Sequence, residues 1–226
     1  MDIKRDSFVE LAKVFSSHGY CLYLVGGTVR DILLNIPLTD MDAVTDATPE
    51  EMKAFIDGDF TFAKMGSIKV KFNNLKFDIT TLRKEMNYED HRHPGVVEFV
   101  KNIQEDYVRR DFTVNAMYMD DTFKLYDFAG GKEDLQNRIL RMVGDPLKRL
   151  KEDPLRIIRC LRFSLTYQLI IEPSLENALM LSIKFLDSLS KDKIKMELKK
   201  FDLSQKEQMI EIFDKYSIKH LLDVLE

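Results

Sequence analysis

Two aspartates two residues apart, Asp40 and Asp42, and a glycine pair, Gly26-Gly27, followed by Arg30 have the types and spacing that suit chemistry on a phosphate ester. Carboxylates at i and i+2 on an extended strand point to the same face, where they can hold one or two divalent ions side by side. A glycine turn lets a ligand approach the main chain, and the helix start behind it turns N–H groups toward an anion such as phosphate. Singly, each has a plainer reading: Gly-Gly after a strand is often only a turn, and D-x-D near a strand end is often solvated acid. Together, within the one stretch LYLVGGTVRDILLNIPLTDMD, they point to metal-dependent chemistry on a nucleoside triphosphate.

Three further groups carry chemistry. Arg109, Arg110 and Asp111 interrupt an apolar pattern, and two arginines beside buried positions call for an anion, either a ligand or Glu105, Asp106 or Asp111 on the same helix. Asp153, Arg156, Arg159 and Arg162 recur every third residue along one helix face, with Leu155, Ile158 and Leu161 on the other. Such a stripe is either a solvated amphipathic face or an anion or base contact, and three guanidinia facing one way favour the contact. Asp78 is a third carboxylate, on a strand that could lie beside the one bearing Asp40 and Asp42. His91 and His93, flanked by Arg92 and lacking a third ligand nearby, read as surface histidines rather than a metal site.

The elements that must position these residues follow from periodicity. Phe8, Leu11, Ala12 and Phe15 mark an amphipathic helix over 5–17, and Leu22 to Val25 a strand before the glycines. A helix carries Arg30 in its first turn, and the next strand carries both acids. Thr48-Pro49-Glu50-Glu51 opens a helix to about Asp57 with an N-cap, a first-turn proline and a capping-box acid. SIKVKF and LKFDITTL form a hairpin through Asn73-Asn74, RKEMNYEDHRHPG a polar mobile loop, and VVEFV another strand. Gln104 to about Met119 is helical in pattern. FKLYDF returns as a strand, Gly130-Gly131 turns the chain, and everything beyond Gly144-Asp145-Pro146 is helical. The expected organisation is a mixed-sheet α+β domain over residues 1–145 and an all-helical domain over 146–226.

Composition sets the outer limits. The 226 residues are 45% hydrophobic and 32% charged, ordinary for a soluble protein, and the net charge of -4 argues against gripping nucleic acid over the whole surface. Contact with a polyanion must be local, and from Arg138 to Arg162 eight Lys or Arg stand against three Asp or Glu. Cys21 and Cys160 have no zinc spacing and read as buried small residues of a reducing compartment. The charged N-terminus carries neither a signal peptide nor a membrane span, so no membrane is expected as a partner and the location is cytoplasmic.

Taken in order, LVGGTVRD, DMD with AVTDATPEE, GSIKV, FDITTLR, HRHPGVVEF, EDYVRRDFTVNAMYMD, LYDFAGGKEDL, RMVGDPLKRLKEDPLRIIRCLRF and SKDKIKMELKK resemble one group. It comprises the class II nucleotidyltransferases that add CCA to tRNA and the bacterial poly(A) polymerases built on the same scaffold. The resemblance covers nearly the whole chain and implies a head of the DNA polymerase β type followed by a helical neck. By match to motif, Asp40 and Asp42 bind two Mg²⁺ ions, one activating the acceptor 3'-hydroxyl and the other holding the triphosphate. Gly26, Gly27 and Arg30 hold phosphates, and Arg110 with Asp111 contacts the nucleotide's sugar and phosphates.

The resemblance also gives the helix stripe a specific role. A carboxylate beside a guanidinium complements the Watson–Crick edge of cytosine or adenine but not of uracil or guanine, so Asp153 and Arg156 would admit CTP and ATP. Arg159 and Arg162 complete the nucleotide pocket through stacking or phosphate contact. Pro154 stands where the family commonly has alanine, and GSIKV follows the CCA-adding pattern rather than the glycine-arginine-phenylalanine of poly(A) polymerases. The chain stops near KHLLDVLE, so the family's helical body and tail are expected to be absent, and the tRNA 3' end to be held by the neck with a partner or a homo-oligomer mate. The implied activity is template-independent addition of C and A to an RNA 3' end, with pyrophosphate released. The alternatives are a poly(A) polymerase-like or other nucleotidyltransferase with a non-tRNA acceptor, and a non-catalytic nucleotide- or RNA-binding module.

Overall fold

Residues 3–88 and 94–225 are described in the computed structural model, so the expectation for His91 and His93 lies outside the described residues. Phe8, Leu11, Ala12 and Phe15 are buried along α1 (Ile3–Ser17), as their spacing requires. β1 (Leu22–Val25) passes through Gly26 into α2 (Gly27–Leu33), and β2 (Met41–Thr45) returns antiparallel to β1 with Ala43 opposite Leu24. A reciprocal capping box between Thr48 and Glu51 starts α3 (Pro49–Met52), which closes short of the expected Asp57. β3 (Ser67–Phe72) and β4 (Leu75–Thr81) form the expected hairpin, with Asn73 and Asn74 at φ 48° and 61°. β4 then lies parallel to β2.

Two stretches differ from expectation. The polar segment read as a loop contributes β5 (Arg83–Tyr88), paired in a two-stranded ribbon with β6 (Pro94–Phe99). A ribbon outside the main sheet lacks the apolar alternation by which a half-buried strand is recognised. The helix expected from Gln104 to Met119 is instead α4 (Ile103–Asp106), two 3₁₀ turns, and β7 (Met117–Met119). Arg110 leaves the helical region at ψ 161°, and all three residues of β7 are buried because it is flanked by strands on both sides. A short apolar run buried on both faces carries no period that separates strand from helix. β8 (Leu125–Asp127) and α5 (Gly131–Gln136) follow, and the six-stranded mixed sheet has the order β3-β4-β2-β1-β7-β8.

Further on, β9 (Ile139–Leu140) pairs in parallel with β10 (Ile170–Ile171), so one short strand does interrupt the stretch expected to be wholly helical. The rest is α6 (Pro146–Glu152), α7 (Leu155–Thr166), α8 (Pro173–Ser182), α9 (Lys191–Leu198) and α10 (Lys206–Lys215). Their core includes Leu150, Ile158, Cys160, Leu161, Leu175, Leu179 and Phe213, all fully buried. Cys21, by contrast, is exposed just ahead of β1, where its N–H donates to Asp46.

The chain divides into two compact units, Met1–Met86 with Val96–Lys132 and Asn87–Gly95 with Glu133–Glu226. The packing division therefore falls ahead of residue 145. The β9–β10 pair and the ion pair of Arg141 with Asp134 at 3.1 Å tie the intervening residues to the helices. No helix among the described residues is long and apolar enough to cross a membrane.

Candidate active site

The turn between β1 and α2 builds one side of the site. Gly26 sits at φ 63° and ψ -126°, a conformation that a side chain would strain. A Cβ on Gly27 would lie 3.4 Å from Nη2 of Arg30 and 3.7 Å from Oδ2 of Asp42, so the bare backbone keeps the space beside that carboxylate open. The Asp42 N–H donates to Thr28 Oγ1 at 2.8 Å, which pins the start of α2 to β2.

The acids gather around this turn, in an arrangement only partly expected. Asp42 lies in β2, whereas Asp40 sits in the bend just before it, so the two are not on one continuous strand. Asp78 is instead the direct register partner of Asp42 on the parallel neighbour β4. Gly26, Asp42, Asp78, Arg83, Arg109 and Arg110 help line a cleft of about 180 Å³. Although Asp42 is exposed by surface area, the crowding of its carboxyl by protein raises its pKa, and Asp78 adds to the rise. Arg110 and Arg30 act the other way, and Asp40 contributes a smaller upward push.

Oxygen-only ligands on neighbouring strands, repelling each other, suit a hard divalent cation. Among the described residues no group of three or more His, Cys, Asp and Glu could hold an ion unaided. Mg²⁺ does not need one, because it commonly binds through one or two carboxylates together with substrate phosphates and waters. The residues present thus fit such an ion.

Two arginines face this region, each braced from behind. Arg30 is 4% exposed, its Nη1 donates to Asn115 Oδ1 at 2.6 Å, and its Nε and Nη2 donate to Asp31. Arg110 donates from Nε and Nη2 to the buried Asp106, which also receives Arg109 at 2.8 Å. The internal anion considered for Arg109 and Arg110 is therefore Asp106. Its carboxyl is pushed up by burial, but Arg110 and Arg109 outweigh this and hold it well below the usual carboxylate range. Asp111, expected at the nucleotide, accepts from the N–H of Phe112 and from Asn115 Nδ2, and so steadies the side chain that receives Arg30.

In the second unit the charged stripe is reorganised by Pro154. A proline disfavours helical geometry in the residue before it, and Asp153 is extended at φ -141° and ψ 94°, between α6 and α7 rather than on the helix face. Its Oδ1 accepts the Leu155 N–H at 3.2 Å, and its Oδ2 lies 3.9 Å from Nε of Arg156. Carboxylate and guanidinium are thus neighbours, as a base-reading pair requires. Arg156 is 5% exposed and donates to the Arg149 carbonyl at 3.0 Å, so the stripe is not a solvated face.

Glu197 on α9 organises the remainder. It accepts from Arg162 at 3.0 Å and from Lys200 at 2.7 Å, and Arg159 is 3.9 Å away. The Arg162 guanidinium also lies 4.4 Å from the Phe163 ring centre. Burial lowers the Arg162 pKa despite Glu197. Glu197 and Asn115 were not singled out by sequence, although each falls within a stretch that carried the family resemblance, whereas Asp106 is one of the three acids considered for Arg109 and Arg110. Only the contacts of Glu197 with Arg162 and of Asn115 with Arg30, across distant segments, reveal those two.

Residues 22–141 match the family model described as the Poly A polymerase head domain. A relative named CCA-adding enzyme from Staphylococcus epidermidis is 41% identical over 191 residues, covering 84% of this chain and 48% of its own. The solved structure of the Bacillus stearothermophilus CCA-adding enzyme in complex with CTP superposes with a TM-score of 0.80 at 34% identity, covering 88% of this chain and 48% of its own. The Thermotoga maritima CCA-adding enzyme complexed with tRNA-CCA gives a TM-score of 0.75 at 26% identity, over 96% of this chain and 52% of its own. The chain spans about half the length of these relatives.

Proposed function

This chain belongs to the Poly A polymerase head domain family, and on that premise we propose that it is a template-independent nucleotidyltransferase that adds CMP and AMP from CTP and ATP to an RNA 3'-hydroxyl. The acceptor oxygen attacks the α-phosphorus, the bond to the β,γ-phosphates breaks, and pyrophosphate leaves. The observation that carries the proposal is the meeting of Asp42 with Asp78 beside the bare Gly26-Gly27 turn, with Asp40 next to them. Two Mg²⁺ ions at Asp40 and Asp42 would lower the acceptor hydroxyl's pKa and offset charge on the phosphates.

The protein's own residues do the positioning. Gly26 and Gly27 let the triphosphate approach the backbone, and Arg30 and Arg110 hold positive charge at that wall. Asp111 acts beside Arg110, at the nucleotide's sugar or through Asn115. Asp153 accepts from the amino group of cytosine or adenine while Arg156 donates to the ring acceptor, and uracil or guanine would leave both mispaired. Arg159 and Arg162 complete the nucleotide contacts. The head is taken functionally as residues 1–145, supported by a family match that ends at 141, with a neck over 146–226. The acceptor is the 3' end of tRNA, the site of action is the cytoplasm, and a homo-oligomer mate shares the grip on the acceptor. The names of the relatives support the choice of acceptor.

The test is extension of a tRNA lacking its CCA with labelled CTP and ATP, the products sized to one nucleotide. Growth by C and then A, and none with UTP or GTP, is expected. Label on another RNA but not on tRNA would replace the acceptor, and no incorporation with any RNA would remove the enzymatic reading.

A further inference from the structure

We infer that Asp106 is a positioning residue of the nucleotide site, fixing the Arg110 guanidinium against the Gly26 turn. The inference rests on the function proposed above, because it assigns Arg110 its target. Asp106 is fully buried at the end of α4, and its two oxygens divide their partners. Oδ1 accepts the Arg83 N–H at 3.0 Å and Arg109 Nε at 2.8 Å, which stops the carboxylate from rotating. Oδ2 accepts Arg110 Nη2 at 2.8 Å, Arg110 Nε at 3.1 Å and the Tyr118 hydroxyl at 2.7 Å.

Tyr118 completes the clamp. Its hydroxyl also receives Arg110 Nε at 2.8 Å, and its ring centre lies 5.0 Å from the guanidinium carbon. Tyr118 is fully buried in β7, directly opposite Val25, the residue before Gly26. Sheet register therefore sets where the clamp stands relative to the glycine turn. The opposite end of the guanidinium, Nη1, is 3.8 Å from the place a Cβ on Gly26 would occupy. Arg110 is thus gripped at Nε and Nη2 and presents Nη1 toward the turn.

Charge and geometry explain why one acid does this. Arg83, Arg109 and Arg110 share the acids Asp106 and Glu85, which brace them along the cleft that Gly26, Asp42 and Asp78 also line. A planar fork held at one edge can present the other in a fixed direction, which a single ammonium cannot. Asp106 acts through Arg110 and touches no substrate, so it is not a catalytic residue.

The experiment compares the whole protein with Asp106→Asn, Arg110→Lys, Tyr118→Phe and Thr48→Ala, measuring CTP affinity without acceptor, KM and kcat in extension, and melting temperature. Asp106→Asn and Arg110→Lys are expected to raise Kd and KM for CTP by about tenfold or more with a smaller change in kcat. Thr48→Ala removes the capping box of α3 and none of the bonds of the Asp106 cluster, so it is expected to lower the melting temperature with KM unchanged. Asp106→Asn that is folded and binds CTP like the wild type overturns the inference, as does a Thr48→Ala variant that loses CTP equally. If Asp106→Asn does not fold, Tyr118→Phe carries the test: raised KM supports the clamp and unchanged KM overturns it. A wild type that neither binds nor incorporates any nucleotide overturns the proposed function and this inference together, whereas failure of the variants alone overturns only the inference.

Discussion

At the scale of single residues, what separates Asp42 from an ordinary surface acid is the carboxylate opposite it. Asp42→Asn is expected to reduce incorporation by on the order of a thousandfold, equivalent to about 4 kcal/mol of barrier. The same change removes one of two like charges paired across adjacent strands, so the metal-free protein should melt no lower than the wild type. Calorimetry beside the extension assay checks both; a clear loss of stability would mean that Asp42 is a structural acid. Asp106 should behave in the opposite sense. Its folded-state pKa is depressed, so its contribution is present above the unfolded value of about 3.9 and is lost as pH falls toward the folded value. Asp106→Asn should therefore cost about 3–5 kcal/mol at pH 7, as breaking a buried ion pair does, and progressively less as the pH drops below about 4. Denaturant titrations of both proteins across that range measure the difference.

The glycine turn is where a whole element depends on one backbone conformation. Gly26→Ala would force a side chain into φ 63°, ψ -126°, costing about 1–3 kcal/mol, and would disturb the backbone that the triphosphate approaches. Nucleotide affinity and stability should fall together in this variant. Wild-type affinity in a destabilised protein would show that the close backbone approach is not used. The other elements explain which expectations held. The α1 pattern, the capping box at Thr48 and the Asn73-Asn74 hairpin turn are local signals, and all three appear where the residues put them. β7 and β5 depart from expectation because one is buried on both faces and the other belongs to no half-buried sheet, whereas β6 lies where VVEFV puts a strand.

For the molecule as a whole, charge is the feature that bears on RNA. A net charge of -4 with a local excess of lysine and arginine over 138–162 predicts that few phosphates are neutralised on binding. The logarithm of RNA affinity should then fall only shallowly with the logarithm of salt concentration, with a slope of roughly -0.7 per neutralised phosphate on a single strand. Filter binding of a tRNA across a range of KCl concentrations tests this, and a slope of about -7 or steeper would require a far larger basic surface. The two packed units have their own cores, and the division near residue 133 rather than 145 comes from the β9–β10 pair, whose strands are too short to carry a pattern.

The sequence by itself determined which residues to propose for the site: the Gly26-Gly27 turn, Arg30, Asp40 and Asp42, and the acid–arginine pair of Asp153 and Arg156. The turn is legible because its chemistry is local. The strand alternation expected of Asp40 with Asp42 and the helix spacing expected of Asp153 do not hold, Asp40 lying in a bend and Asp153 extended before Pro154. The tertiary structure alone decided that Asp78 stands opposite Asp42, that Asp106, among the acids nearby, is the one that braces Arg109 and Arg110, and that Glu197 collects Arg162 and Lys200. Each of these pairs comes from sheet register, helix packing or a buried charge finding its partner. Burial makes such pairing obligatory, since an unpartnered charge away from water is too costly to keep, but it does not say which residue supplies the partner.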